Sequence, residues 1–285
     1  YRPTAGFVVP VGSRPRHVRL PSLYSNIQSI VTSLRQFVNQ PTTDPPPLNL
    51  TQKCATCPFH DHCLHEAEET DSLTLLERMS PKLLRRYAKK GVFTVNQLSY
   101  LFKPRRRRKR SPATQPSFNI ELQALAIRTN KIYLHEPPTL EDQPVELYLD
   151  IEGIPDEDFQ YLIGLLIKDR DSVTMQSFWA DSFDDERRVF QECIKAANAF
   201  PDAPIYHYGS YERRAFEIAA KKYGIDCTAF LERLVNINSL IFGKIYFPTR
   251  SNRLKDLGAF VGSSWSATDP SGLMSIAWRY HWEDT

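Results

Sequence analysis

Apolar and polar side chains alternate from Val145 to Glu152: Val145, Leu147, Leu149 and Ile151 against Glu146, Tyr148, Asp150 and Glu152. A period of two predicts a β-strand with one apolar face. Pro155-Asp156-Glu157-Asp158 predicts a turn, Phe159 to Lys168 a second strand, Arg170-Asp171 another turn, and Val173 to Trp179 a third strand. Connections this short imply an antiparallel meander. The period then lengthens. Val189, Phe190, Cys193, Ile194 and Ala197 form the buried stripe of a helix, opened by Ser182 with Asp185 at the capping-box position. Pro204 to Tyr208 predicts a fourth strand, and Gly209-Ser210 turns into a helix from about Tyr211 to Tyr223. The order β-β-β-α-β-α predicts an α/β (α+β) domain over 144–285, a mixed sheet with flanking helices.

The first half is more broken. Over 1–50, Phe7-Val8-Val9 suggests a short strand. Ile27, Ile30, Val31, Leu34 and Val38 give helical spacing between Ser22 and Val38. A proline-rich stretch, Gln40 to Pro47, follows. Over 51–103 a cysteine cluster leads. Ser72 to Met79 predicts a short helix, and Ser80-Pro81 opens another that runs to about Lys90 and stops at Gly91. Thr94 or Asn96 opens the next, with Val95, Leu98 and Leu101. Helix, glycine turn and helix either resemble a helix-hairpin-helix, a motif that often binds nucleic-acid backbone, or form a small helical packing unit. Residues 104–143 read as a basic linker with a possible strand pair around Ile127 and Ile132-Tyr133-Leu134.

Composition changes this picture little. The chain of 285 residues is 41% hydrophobic and 24% charged, ordinary for a globular protein, and it holds no apolar run long enough to span a bilayer. No signal peptide is visible, so a cytoplasmic location is expected. A start at Tyr1-Arg2-Pro3 suggests a piece of a longer protein. The net charge is only +3, but Arg105, Arg106, Arg107, Arg108, Lys109 and Arg110 are consecutive. Such a run is either a solvated linker or a phosphate-contacting segment.

Two groups of residues carry candidate chemistry. Asp150 and Glu152 stand two apart on a strand and so share a face. Two anionic oxygens on a rigid strand suit Mg²⁺ or Mn²⁺, and point to metal-assisted phosphodiester chemistry. Glu212, in the first turn of the helix after the fourth strand, either complements the helix dipole or supplies a third carboxylate. The other group is Cys54, Cys57 and Cys63, with Cys193 and Cys227 apart. An odd, clustered set without a secretory signal fits metal ligation in a reducing compartment better than disulfides. Thiolates select zinc, with His60, His62 or His65 as a fourth ligand, or an iron–sulfur cluster.

The strand order is that of the ribonuclease-H-like fold, and the motifs resemble the DEDD exonuclease superfamily. There the first motif is Asp-x-Glu, here Asp150-Ile151-Glu152. The second is Asn-x-x-Phe-Asp at a strand-to-helix junction, here Tyr208, Tyr211 and Glu212. These departures, together with Ile241–Thr249, Leu254–Gly258, Ser271-Gly272 and Trp278 to Trp282-Glu283, resemble the ribonuclease-H-like domain appended to predicted RecB-like nucleases, over roughly 51–285. The resemblance implies a 3′→5′ exonuclease on DNA, with RNA possible, and no membrane partner. Its residues would be Asp150, Glu152, Glu212 and a phosphate-neutralising Lys255. It also implies an iron–sulfur cluster on the three cysteines, an upstream nuclease domain in the same polypeptide whose tail is 1–50, and a last acidic motif beyond Thr285. Tyr280 and Asp284 match that motif's spacing by accident. The Glu at the second motif sustains an alternative, a nucleic-acid-binding module that no longer cuts.

Overall fold

The computed structural model describes residues 3–9, 15–39, 48–51, 53–54, 57–104, 118–266 and 271–283. The basic run Arg105–Arg110 and Asp284 lie outside the described residues. The chain divides into two compact units, Tyr1–Asn49 and Leu50–Thr285. In the first, β1 (Ala5–Val8) pairs antiparallel with β2 (Arg16–Arg19), and α1 (Tyr24–Asn39) keeps Ile27, Ile30, Val31, Leu34 and Val38 exposed.

The second unit begins with helices. Cys63 lies within α2 (His60–Glu69). The helix expected over Ser72 to Met79 is only a 3-10 turn, Leu73–Leu75, capped by Ser72. Next, α3 (Pro81–Ala88) starts at the Ser80 cap with proline in its first turn. Gly91, at φ 71°, reverses the chain, and α4 (Val95–Ser99) opens on a Thr94–Gln97 capping box. The strand expected around Ile127 is instead part of α5 (Ile120–Thr129). Asn119 caps it by accepting from the Leu122 amide at 2.9 Å, and Asn130 ends it in the left-handed conformation. Alanine and leucine between these caps favour helix. Leu73, Leu76, Met79, Tyr87, Val92, Val95, Leu98, Ile120 and Ala124 form the core of this helical part.

From here the chain builds the sheet. Its elements are β3 (Tyr133–Leu134), β4 (Val145–Ile154), β5 (Phe159–Asp169), β6 (Val173–Trp179), α6 (Glu186–Asn198), β7 (Ile205–His207), α7 (Tyr211–Tyr223), α8 (Thr228–Glu232), β8 (Leu234–Asn236), α9 (Ile237–Ile241), β9 (Ile245–Tyr246), α10 (Leu254–Phe260) and α11 (Gly272–Glu283). The main sheet runs β6-β5-β4-β7-β8. β4, β5 and β6 are antiparallel; β7 and β8 are parallel to β4 and to each other. This five-stranded mixed sheet with flanking helices is the ribonuclease-H-like arrangement expected. The strand β8 is an addition.

Leu147, Leu149 and Ile151 bury one face of β4 with Phe190 and Cys193 of α6 and Phe216 and Ala219 of α7. Phe216 stacks on Phe230 at 4.2 Å and meets Phe190 edge-on at 4.9 Å. The helical part is fastened to the sheet part by β3–β9 pairing and by Tyr246, whose hydroxyl accepts from the Asn119 amide at 2.8 Å. The Gln123 amide donates to the Phe247 and Thr249 carbonyls at 2.7 and 2.5 Å. Among the described residues no helix is long and apolar enough to cross a membrane.

Candidate active site

The alternation on β4 leaves Tyr148, Asp150 and Glu152 on the face opposite the core. The register between β4 and β5 shifts after Glu152, so that Glu152 pairs with Leu162 but Gly153 with Gln160. Tyr161 is the extra residue of this bulge, a feature that re-aims side chains. Its hydroxyl lies 2.5 Å from the Ser275 Oγ on α11. The Ser275 hydroxyl in turn favours the charged form of Glu152, against the desolvation that raises its pKa. Gly153 is required by crowding. A Cβ there would sit 2.7 Å from the Phe159 carbonyl oxygen and 2.8 Å from the Tyr211 hydroxyl.

Asp150 and Glu152 are both harder to ionise than ordinary carboxylates. For Asp150 the first cause is desolvation and the second the negative charge of Glu212. Asp150 keeps solvent contact, so the protein around its carboxylate thins its hydration without sealing it off. For Glu152 the causes are desolvation and then the charge of Asp150. Lys255, exposed on α10, acts on both in the opposite sense. The sheet thus brings Asp150, Glu152, Glu212 and Lys255 into one electrostatic neighbourhood.

Glu212 is 5% exposed. Its Oε2 lies 3.1 Å from Nδ1 of His207, also buried, at the end of β7. The junction between them is held by Asn236 of β8, whose Oδ1 accepts from the amides of Gly209 and Asn238 at 3.1 and 3.0 Å. Gly209 has φ 104°, a conformation that favours glycine. Tyr208 turns away and donates to the Asn252 carbonyl, while Tyr211 donates to Gln160 Oε1 at 2.7 Å. Behind Gln160, its amide donates to the buried Glu186 at 2.7 Å. Glu186 also accepts from Lys222 at 2.6 Å and from the Tyr223 hydroxyl.

His207, Ser275, Tyr161 and Gln160 are missing from the sequence-derived set. Only the His-x₄-Glu spacing across the Gly209 turn signals one of them, and it carries no meaning until that turn is known. Cys57 is exposed, and Cys54 and Cys63 are half-buried. Thr51, through its amide and hydroxyl, lowers the Cys54 thiol's pKa. Among the described residues no group of three or more His, Cys, Asp or Glu side chains is assembled to hold a metal ion.

No curated protein and no solved structure matches the chain. Residues 147–285 match a family model, RNase_H_2, described as RNase_H superfamily. That stretch contains the acidic face of β4, the His207–Glu212 junction, Lys255 and Ser275. The second unit therefore carries a ribonuclease-H-like domain, a kind of domain that suggests nuclease-type hydrolysis and a nucleic-acid substrate.

Proposed function

We propose that the chain is a metal-dependent nuclease, and specifically a 3′→5′ exonuclease on DNA. The observation that carries this reading is the crowding of negative charge on one sheet face. Asp150 and Glu152 share that face, and each is made harder to ionise, Asp150 by desolvation and the charge of Glu212, Glu152 by desolvation and the charge of Asp150. An all-oxygen donor set of this kind fits Mg²⁺ or Mn²⁺. In this two-metal reading of phosphodiester hydrolysis, Asp150, Glu152 and Glu212 would hold the cations, which when bound supply an activated water and stabilise the leaving oxygen. The chain's own residues do the rest. Ser275 favours the charged form of Glu152, His207 orients Glu212, and Lys255 offsets part of the phosphate charge. Asn236 and Gly209 fix the turn from which Glu212 projects.

End-labelled DNA with Mg²⁺ tests this reading. Loss of nucleotides from the 3′ end, abolished by at least about 10³-fold in Asp150→Ala, supports it. Undiminished degradation by that variant sinks it. A second reading, a nucleic-acid-binding module without cleavage, is favoured by the engagement of Glu212 with His207 and by the absence of an assembled three-ligand group among the described residues. DNA binding without metal-dependent turnover would support that reading.

For Cys54, Cys57 and Cys63 we propose an iron–sulfur cluster, with zinc as the alternative. Visible charge-transfer absorption with matching iron supports the cluster; colourless protein with stoichiometric zinc overturns it.

A further inference from the structure

The helix α3 is amphipathic in an unusual way. Tyr87 is buried and Leu83 and Leu84 are half-buried against the helical core, Tyr87 fixed further by donating to Glu121 at 2.7 Å. The opposite side carries Lys82, Arg85, Arg86 and Lys89, all exposed, at i, i+3, i+4 and i+7. Such spacing makes one continuous stripe. Lys90 extends it towards the Gly91 turn, beside which Phe93 stands 60% exposed.

The stripe is all cationic, and among the described residues none of these five side chains forms an ion pair. The neighbouring acids are engaged elsewhere. Glu68 pairs with Arg250 at 2.5 Å and Glu77 with Arg253 at 3.1 Å, while Glu121 takes the Tyr87 hydroxyl. Cations near a helix C-terminus do complement its dipole, but that effect fades beyond the last turn and leaves Lys82 unexplained. Five like charges without a counter-ion, Lys90 alone resting over the Tyr87 ring at 6.0 Å, repel one another and persist only at modest cost until a polyanion neutralises them.

We propose that this face of α3 is a phosphate-backbone contact surface for the nucleic acid on which the carboxylate site acts. The inference rests on the nuclease reading for the identity of its partner. Its geometry suits that partner. From Lys82 to Lys89 the helix rises about 10 Å, and one strand of a duplex presents a phosphate about every 3.4 Å of axis, so the stripe faces about three phosphates. Point-charge contacts to phosphates carry no base information, so the surface grips without reading sequence. The rigid attachment through Gln123 and Tyr246 holds a strand gripped there at a fixed offset from the β4 carboxylates.

The test is fluorescence anisotropy of the full chain with a labelled DNA duplex in EDTA, titrated across salt concentrations. The variant Lys82→Gln/Arg85→Gln/Arg86→Gln/Lys89→Gln removes only exposed charges, and its far-ultraviolet spectrum and melting curve check folding. It is expected to bind at least about tenfold more weakly near 0.1 M salt, with the slope of log K against log salt reduced by about 2 to 3. The charge-conserving variant Lys82→Arg/Arg85→Lys/Arg86→Lys/Lys89→Arg keeps both affinity and slope. An unchanged slope in the neutralised variant overturns the proposal. So does loss of binding to phosphatidylserine vesicles while DNA binding stays intact, which would make the stripe a membrane-surface contact. Cleavage is scored separately. A chain that grips DNA through α3 but degrades nothing with Mg²⁺ supports this proposal and sinks the nuclease reading alone.

Discussion

The Asp150 carboxylate is held where folding makes its negative charge costly, through desolvation and the charge of Glu212. Its pKa is higher in the folded than in the unfolded chain. Its contribution to stability is therefore fully present below the unfolded value, about pH 4, and is lost as pH rises through the folded value. Asp150→Asn is then expected to melt at a higher temperature than the parent at pH 7, with the gap closing as pH falls towards 4. Mg²⁺ should raise the parent's melting temperature and leave the variant's unchanged. An equal response in both would remove Asp150 from any metal site. Gly153→Ala drives a Cβ against backbone and the Tyr211 hydroxyl. It should cost about 1–3 kcal/mol in urea unfolding and disturb Glu152 next to it. The Asp150–Glu152 pair was legible in the sequence because a period of two fixes side-chain direction without knowledge of the fold. The His207–Glu212 contact was not, because it closes across a glycine turn whose path is set by Asn236, a residue on a strand too short to show periodicity.

At the scale of elements, Glu186 ties three of them together. It opens α6, takes an amide from β5, and receives Lys222 and Tyr223 from the end of α7. Glu186→Ala would leave the Gln160 amide and the Lys222 ammonium without their acceptor. The expected loss is about 2–3 kcal/mol in urea unfolding, since Lys222 keeps partial access to water. Because Gln160 also receives the Tyr211 hydroxyl, the same variant should lower nuclease turnover more than Glu186→Gln, which can still accept from the amide. Equal turnover in the two would separate this network from the site. Long periodic elements were readable from the chain: β6 and α7 have the bounds their patterns predict, and β5 differs by a single terminal residue. Ile127 was misread as strand because the apolar residues of α5 are spread around the helix, and burial of both Leu122 and Ala124 leaves no clean stripe. The strand β8 escaped because three residues, of which only Leu234 is buried, are too few to show alternation.

At the scale of the second unit, the sheet is assembled from partners of very different sequence distance. β4 meets β5 across the turn Pro155–Asp158, whereas β7 reaches β4 only after β5, β6 and α6 have been laid down. Amides shared by β4 and β5 should be the slowest to exchange with deuterium, and those of β8 faster, because β8 holds only an edge. Equal protection across all five strands would show a single cooperative opening. The same asymmetry has a consequence during synthesis. When β4, β5 and β6 have left the ribosome, β4 still has a bare edge, and the apolar row Leu147, Leu149 and Ile151 has no helices over it. Until α6, β7 and α7 follow, that edge is an open template for other strands. Translation that stalls between Trp179 and Tyr223 should therefore yield aggregates in which β4 recruits its like, and a strand that carries paired carboxylates on one side becomes adhesive on the other.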